Sequence, residues 1–183
     1  YRFYTEKMNV EAMNQMYLEA DLRRGLRRGE FELYYQPRIG LKNGEVVGVE
    51  ALLRWNHPVR GVGSPGEFIP LAEDVGLIVP LGYWVIHQAC LDMRTMDARG
   101  MAPIHVAVNL SFKQFLDVKF VQTCSNIIES ARIDPRRLVH LGVEESDRRV
   151  GGERQPARQQ LVGDDAERVL VGGPGELTLR LAL

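Results

Sequence analysis

Long apolar runs are missing from this 183-residue chain. None approaches the ~20 residues that a membrane-crossing helix needs, so no membrane segment is expected. No secretory signal opens the chain. Cysteine is scarce. Cys90 and Cys124 are the only two, with no metal spacing and no disulfide-dense pattern. They read as free thiols in a reducing cytosol, and a cytoplasmic location is expected. Net charge is also missing, at −1 overall. That excludes a molecule-wide attraction to nucleic acid or to anionic membrane. The first residues are Tyr1-Arg2-Phe3-Tyr4 and not Met, which reads as a piece cut from a longer polypeptide.

The last absence is regional. Residues 147–183 contain no aromatic, Ile, Met, Lys or Cys, yet they hold six Arg, six Gly and two Pro. All 14 aromatics lie in the first 146 residues. A segment with few large apolar groups offsets its ordering entropy poorly. The tail stands apart as an atypical Gly/Arg-rich segment. Disorder, a frame-shifted translation, a diverged linker and a genuine alternative ending all stay open for it. Val169-Leu170-Val171 and 177–183 are its candidate short strands.

What remains is globular in character, at 45% hydrophobic and 26% charged. Leu18, Leu22 and Leu26 recur every four residues and predict a helix over the first 29. Arg23, Arg24, Arg27 and Arg28 cover its other side. With Glu19, Asp21 and Glu30 interleaved, they read as a solvated face and not as a nucleic-acid patch. Phe31 to Tyr35 and Val46 to Leu52 are strand-like, and Asn43-Gly44 between them predicts a type I′ hairpin turn. Ser64-Pro65-Gly66-Glu67 has the form of a capping box opening a helix that Gly76 stops. Pro80 opens another helix that runs to Gly100. Ile104 to Leu110 reads as a strand, Phe120 to Ala131 as a helix and Leu138 to Val143 as a further strand. Strands alternating with helices of this length predict an α/β fold with a mostly parallel sheet.

The chemistry concentrates at Glu50-Ala51-Leu52-Leu53-Arg54-Trp55. A carboxylate and a guanidinium stand four positions apart at the end of an apolar run. Burying either charge alone costs several kcal/mol. Taken singly, each residue has a plain reading. Glu50 could be a surface carboxylate at a strand end, Asn109 a cap, Arg54 a side chain lying over Trp55, and Gln36 the end of an edge strand before Pro37. His57, His87, His105 and His140 fit turn, core or surface positions. No Ser-His-Asp or Cys-His arrangement stands out.

Taken in order, Tyr34-Tyr35-Gln36-Pro37, the Glu50–Pro58 stretch, Glu67 to Glu73 and Asn109-Leu110-Ser111 resemble the EAL family of cyclic di-GMP phosphodiesterases. The resemblance covers residues 30–146. It implies a TIM-like (β/α) barrel whose first strand is antiparallel, here about half a barrel plus the tail, since a full barrel usually needs ~250 residues. It also implies hydrolysis of cyclic di-GMP to linear pGpG with Mg²⁺ or Mn²⁺, cations that prefer oxygen ligands. By resemblance, Glu50 and Asn109 are metal ligands at C-terminal strand ends, while Gln36 and Arg54 contact the cyclic dinucleotide. Tyr1-Arg2-Phe3-Tyr4 through Met8-Asn9 resembles the tail of a GGDEF diguanylate cyclase domain, with residues 1–29 as the linker helix after it, so a GGDEF domain is an expected partner in the parent polypeptide.

Departures from the pattern bear on activity. Where the family carries a metal-ligand glutamate on the fourth strand, this chain has Gly142, and Glu144 takes the place of a threonine. From Gly142, Glu144 is two residues on, so it keeps the face but moves ~6.6 Å. The later Asp-Asp-Phe-Gly, the lysine and the second glutamate have no match, and Gly163-Asp164-Asp165 lacks the flanking strand and Phe-Gly. The expectation is a catalytically incompetent chain. A half barrel also exposes sheet edges, which makes a homo-oligomer an expected outcome.

Overall fold

A computed structural model describes residues 6–40, 44–144 and 169–170. The turn residue Asn43, the segment 1–5 and the tail outside 169–170 lie beyond the described residues, and with them the Asp164-Asp165 pair and the strand expected over 177–183.

The chain opens with α1, Glu6–Arg28, which ends at Gly29 in the left-handed region at φ 68°. Its leucine stripe joins the core. Leu22 is fully buried, and Leu18 and Leu26 pack beside it. The four arginines are exposed, as the interleaved acids predict. β1 (Phe31–Gly40) and β2 (Val46–His57) then pair antiparallel, with a register shift at Arg38/Ile39. The connection spans more than a two-residue turn, with Gly44 N–H donating to the Gly40 carbonyl at 2.9 Å. Gly44 takes φ 70°. β2 runs past Leu52 because β1 pairs with it as far as Trp55, and β3 (Gly61–Gly63) folds back onto its end. Glu50 therefore lies within the strand and not at its end.

Helix α2 spans Pro65–Asp74 and α3 spans Ile78–Ala98. Ser64 is the N-cap residue of α2 with Pro65 at its first position, but its side chain makes no cap hydrogen bond. The capping box forms instead at Ser111 and Gln114, where β4 (Val106–Ser111) runs directly into the short α4 (Phe112–Phe115). Helix α5, Phe120–Ala131, ends with Arg132 in the left-handed region at φ 56°. A short 3-10 turn at Pro135–Arg137 leads into β5, Leu138–Glu144. β6, Val169–Leu170, pairs antiparallel with Ile39 and Gly40.

The sheet order is β5-β4-β2-β1-β6, with β3 on the side of β2. β2, β4 and β5 run parallel and β1 is antiparallel to them. One face is apolar and carries the helices. Phe31, Leu33, Tyr35, Val49, Ala51, Leu53, Trp55, Val106 and Val108 bury there with α2 and α3. Phe31, Trp55 and Phe68 form a ring cluster with centroids 5.5–5.8 Å apart. Because successive strand residues alternate between faces, the residues between these point to the other side.

Buried polar ties pin the helices. The Tyr35 hydroxyl donates to Asp92 of α3 at 2.5 Å, and Gln88 donates to the other carboxylate oxygen at 2.8 Å. Burial, then the neighbouring Asp92 carboxylate, hold the Tyr35 hydroxyl well above its ordinary value of 10. The sign follows. An unfolded tyrosine ionises near pH 10 while folded Tyr35 keeps its proton, so its contribution to stability is complete below pH 10 and is lost as pH rises above it. Tyr35→Phe is expected to cost about 1–3 kcal/mol at neutral pH, because buried Asp92 loses a donor. It should also flatten the fall in stability above pH 10. Urea midpoints of both forms at pH 7 and at several pH values above 10 check this, and parallel pH curves there would refute it.

A second tie explains a glycine inside a helix. A Cβ on Gly82 would stand 1.7 Å from Gln114 Nε2. That amide donates to the Ile78 carbonyl at 3.0 Å and accepts from the Ser111 N–H at 2.6 Å. Alanine is the better helix former by about 1 kcal/mol, yet Gly82→Ala is expected to destabilise by about 1–3 kcal/mol through overpacking. A thermal melt at or above the wild-type midpoint would contradict this.

Candidate functional site

The polar face of the sheet gathers the candidate residues. Gln36 of β1 stands opposite Glu50 of β2 in the antiparallel ladder, and Glu50 pairs with Ala107 of β4 in the parallel one. Asn109, two residues beyond Ala107, donates from Nδ2 to Glu50 Oε1 at 2.7 Å. A hairpin and a strand some 50 residues further on thus bring Gln36, Glu50 and Asn109 together. Glu50 is buried, at 8% exposure, while Gln36 and Asn109 are half-buried.

Arg54 lies on the same face, four residues along β2 from Glu50, or roughly 13 Å at strand rise. Each charge has its own partners. Arg54 Nη1 donates to the Leu53 carbonyl at 2.9 Å, and its guanidinium carbon sits 5.4 Å from the centre of the Tyr34 ring. The alternative that Arg54 lies over Trp55 is corrected. Trp55 points to the helix side, is 2% exposed and donates its Nε1–H to Glu30 at 3.1 Å. Adjacent strand residues face opposite ways, so that stack is barred.

The end of β4 is held from behind. Ser111 Oγ donates to buried Glu73 of α2 at 2.6 Å, and Gln114 closes the capping box. Ser111 and Glu73 lie in motifs legible in the sequence, but periodicity gave them no partner. Their contact depends on how α2 packs. On the far side of β4, the register with β5 shifts. Val108 pairs with His140 and Leu110 with Val143, so Leu141 and Gly142 together stand opposite Asn109. His57 serves the turn expected of it. Its Nδ1 accepts from Val59 and Arg60 N–H at 3.1 Å each, and Nε2 lies 3.1 Å from Asp21 Oδ2 of α1.

Glu50 and Asn109 offer carboxylate and amide oxygens, the donor type that Mg²⁺ and Mn²⁺ take. Among the described residues no group of three or more His, Cys, Asp or Glu converges. Two such donors suit a single hydrated cation, which commonly uses one or two carboxylates and keeps its waters. They do not suit a pair of cations. Cys90 and Cys124 are free, and burial pushes each thiol up to about 11, so neither is a ready nucleophile or ligand. No helix among the described residues is long and apolar enough to cross a membrane.

A mixed sheet with a parallel β2-β4-β5 core and an antiparallel first strand, helices on one face and a carboxylate–amide pair on the other define the class as part of a (β/α) barrel. The sequence matches the EAL domain family over residues 19–160, and the chain belongs to that family. It is 44% identical over 146 residues to the bifunctional diguanylate cyclase/cyclic di-GMP phosphodiesterase MucR of Pseudomonas aeruginosa, covering 80% of this chain and 21% of that protein. The cyclic di-GMP phosphodiesterase NbdA of the same organism is 37% identical over 130 residues, covering 71% of this chain and 17% of that protein. The chain thus spans about a fifth of the length of these relatives. Among solved structures, the PaMucR phosphodiesterase in complex with c-di-GMP matches at 44% identity with a TM-score of 0.64, over 67% of this chain and 50% of that one. The EAL enzyme Bd1971 with cAMP and cyclic di-GMP bound matches at 32% identity with a TM-score of 0.65, over 73% of this chain and 39% of that one. The fold is a partial EAL barrel of the TIM type.

Proposed function

We propose that this chain is a cyclic di-GMP-binding member of the EAL family that does not hydrolyse its ligand. The observation that carries the binding half is the placement of Gln36, Glu50, Arg54 and Asn109 on one polar sheet face, drawn from three strands. Arg54 supplies the planar fork that suits a phosphate. Gln36 supplies amide donors and an acceptor for a base or ribose edge. Glu50 and Asn109 would hold one Mg²⁺ or Mn²⁺, which would neutralise phosphate charge.

The no-turnover half rests on composition at the neighbouring strand. Gly142 falls opposite Asn109, where the family resemblance calls for a carboxylate, and glycine offers no side-chain oxygen. The MucR relative is named as both a diguanylate cyclase and a cyclic di-GMP phosphodiesterase, which supports a GGDEF domain in a parent polypeptide, and a cytoplasmic signalling role belongs to the same proposal.

Calorimetric titration of the purified chain with cyclic di-GMP and Mg²⁺ tests the reading. Saturable binding is expected, and Arg54→Ala should weaken it by roughly 10- to 100-fold, the worth of a charge-assisted bidentate contact. Absence of binding, or equal binding by Arg54→Ala, would overturn it.

A further inference from the structure

One aromatic ring on the polar face has no part in the reading above. Tyr34 stands opposite Leu52 in the β1–β2 ladder, and Arg54 stands opposite Glu32. Tyr34 and Arg54 are therefore diagonal neighbours on the same face, a spacing that long and aromatic side chains bridge. The guanidinium carbon of Arg54 lies 5.4 Å from the Tyr34 ring centre, inside the ~6 Å limit for a cation over a ring. Both residues are half-buried, which weakens competition from water without removing access.

The two consecutive tyrosines have different surroundings. Tyr35 points into the helix side and is fixed by Asp92. Tyr34 points to the polar face beside Gln36 and Arg54. An arginine on a strand is otherwise free to sample many rotamers, and that freedom is lost when it grips a ligand. A ring beneath the guanidinium removes part of the freedom beforehand. Nη1 is held as well, donating to the Leu53 carbonyl at 2.9 Å.

We propose that Tyr34 is a positioning residue that holds the Arg54 guanidinium ready for the phosphate of a cyclic dinucleotide. The inference rests on the binding reading given above. Its first readout, however, needs no ligand. In ¹⁵N-labelled chain, the Arg54 Nε–Hε resonance is assigned by its disappearance in Arg54→Lys. Tyr34→Leu should move that resonance by removing the ring current, and Tyr34→Phe should leave it near the wild-type position. Tyr34→Val is the second variant, chosen because a β-branched residue suits the strand. Titration with cyclic di-GMP and Mg²⁺ gives the second readout. Tyr34→Phe should bind within about twofold of wild type, and Tyr34→Leu roughly 3- to 30-fold more weakly, the range expected of a partly desolvated cation–ring contact.

An Arg54 resonance unmoved by both Tyr34→Leu and Tyr34→Val overturns the pairing, whatever the ligand does. A moved resonance with unchanged affinity overturns the role in binding. Failure of the wild-type chain to bind cyclic di-GMP removes both the binding reading and this role, and the resonance then reports the pairing alone.

Discussion

Cyclic di-GMP incubated with the purified chain and Mg²⁺ or Mn²⁺ is expected to come back intact. Chromatography of the nucleotide should show no linear pGpG above the no-protein control. The argument is chemical. Hydrolysing a phosphodiester through metal ions calls for an activated water, charge neutralisation and a fixed leaving group, commonly from two cations a few Å apart. The described polar face offers Glu50 and Asn109 as oxygen donors, and Gly142 on the adjoining strand, where the family resemblance calls for a carboxylate, offers none. Catalytic groups that act as a unit lose about 10⁴-fold or more when one member goes. By the family resemblance several have no match in this sequence, so on the proposed reading restoring one carboxylate with Gly142→Glu should not bring turnover back. Formation of pGpG at a rate that Glu50→Gln abolishes would sink the proposal of a non-hydrolysing chain.

Phe68→Ala is expected to be the most damaging single core change. Phe68 is 1% exposed and meets the rings of Phe31 and Trp55 at 5.8 and 5.6 Å. Truncating a ring this buried costs about 3–5 kcal/mol in lost transfer energy and residual cavity. That is a large share of the ~5–15 kcal/mol that holds a domain together. The melting midpoint should fall by roughly 6–20 °C for a chain of this size. The effect reaches the site, because Trp55 follows Arg54 directly in β2 and loses its packing partner. A melt within 2 °C of wild type would show that α2 does not anchor this end of the sheet.

The short β3 and α4 were not legible in the sequence, but the order of the longer elements was. Each element carries its own period and breakers: the leucine stripe of α1, the aromatic β1, and Pro135 before β5. Boundaries were less legible where pairing decides them. β2 reaches His57 because β1 and β3 both bond to it there, and nothing local in Leu53 to His57 states that. The capping box formed at Ser111 and not at Ser64. Both serines sit before a helix, but only Ser111 has a glutamine three residues on whose amide is held by the Ile78 carbonyl.

The sequence by itself determined the family, the alternation of strands and helices, and which side chains carry chemistry. Those are properties of residue type and spacing along one chain. Tertiary structure decided which of them meet. Glu50 and Asn109, 59 residues apart, share a hydrogen bond because β2 and β4 pair in parallel with Glu50 opposite Ala107. Arg54 rests on Tyr34 and not on Trp55 because the pleat sends neighbouring residues to opposite faces and the hairpin register sets Tyr34 diagonal to Arg54. Register depends on contacts between segments far apart in the chain, so no local pattern contains it.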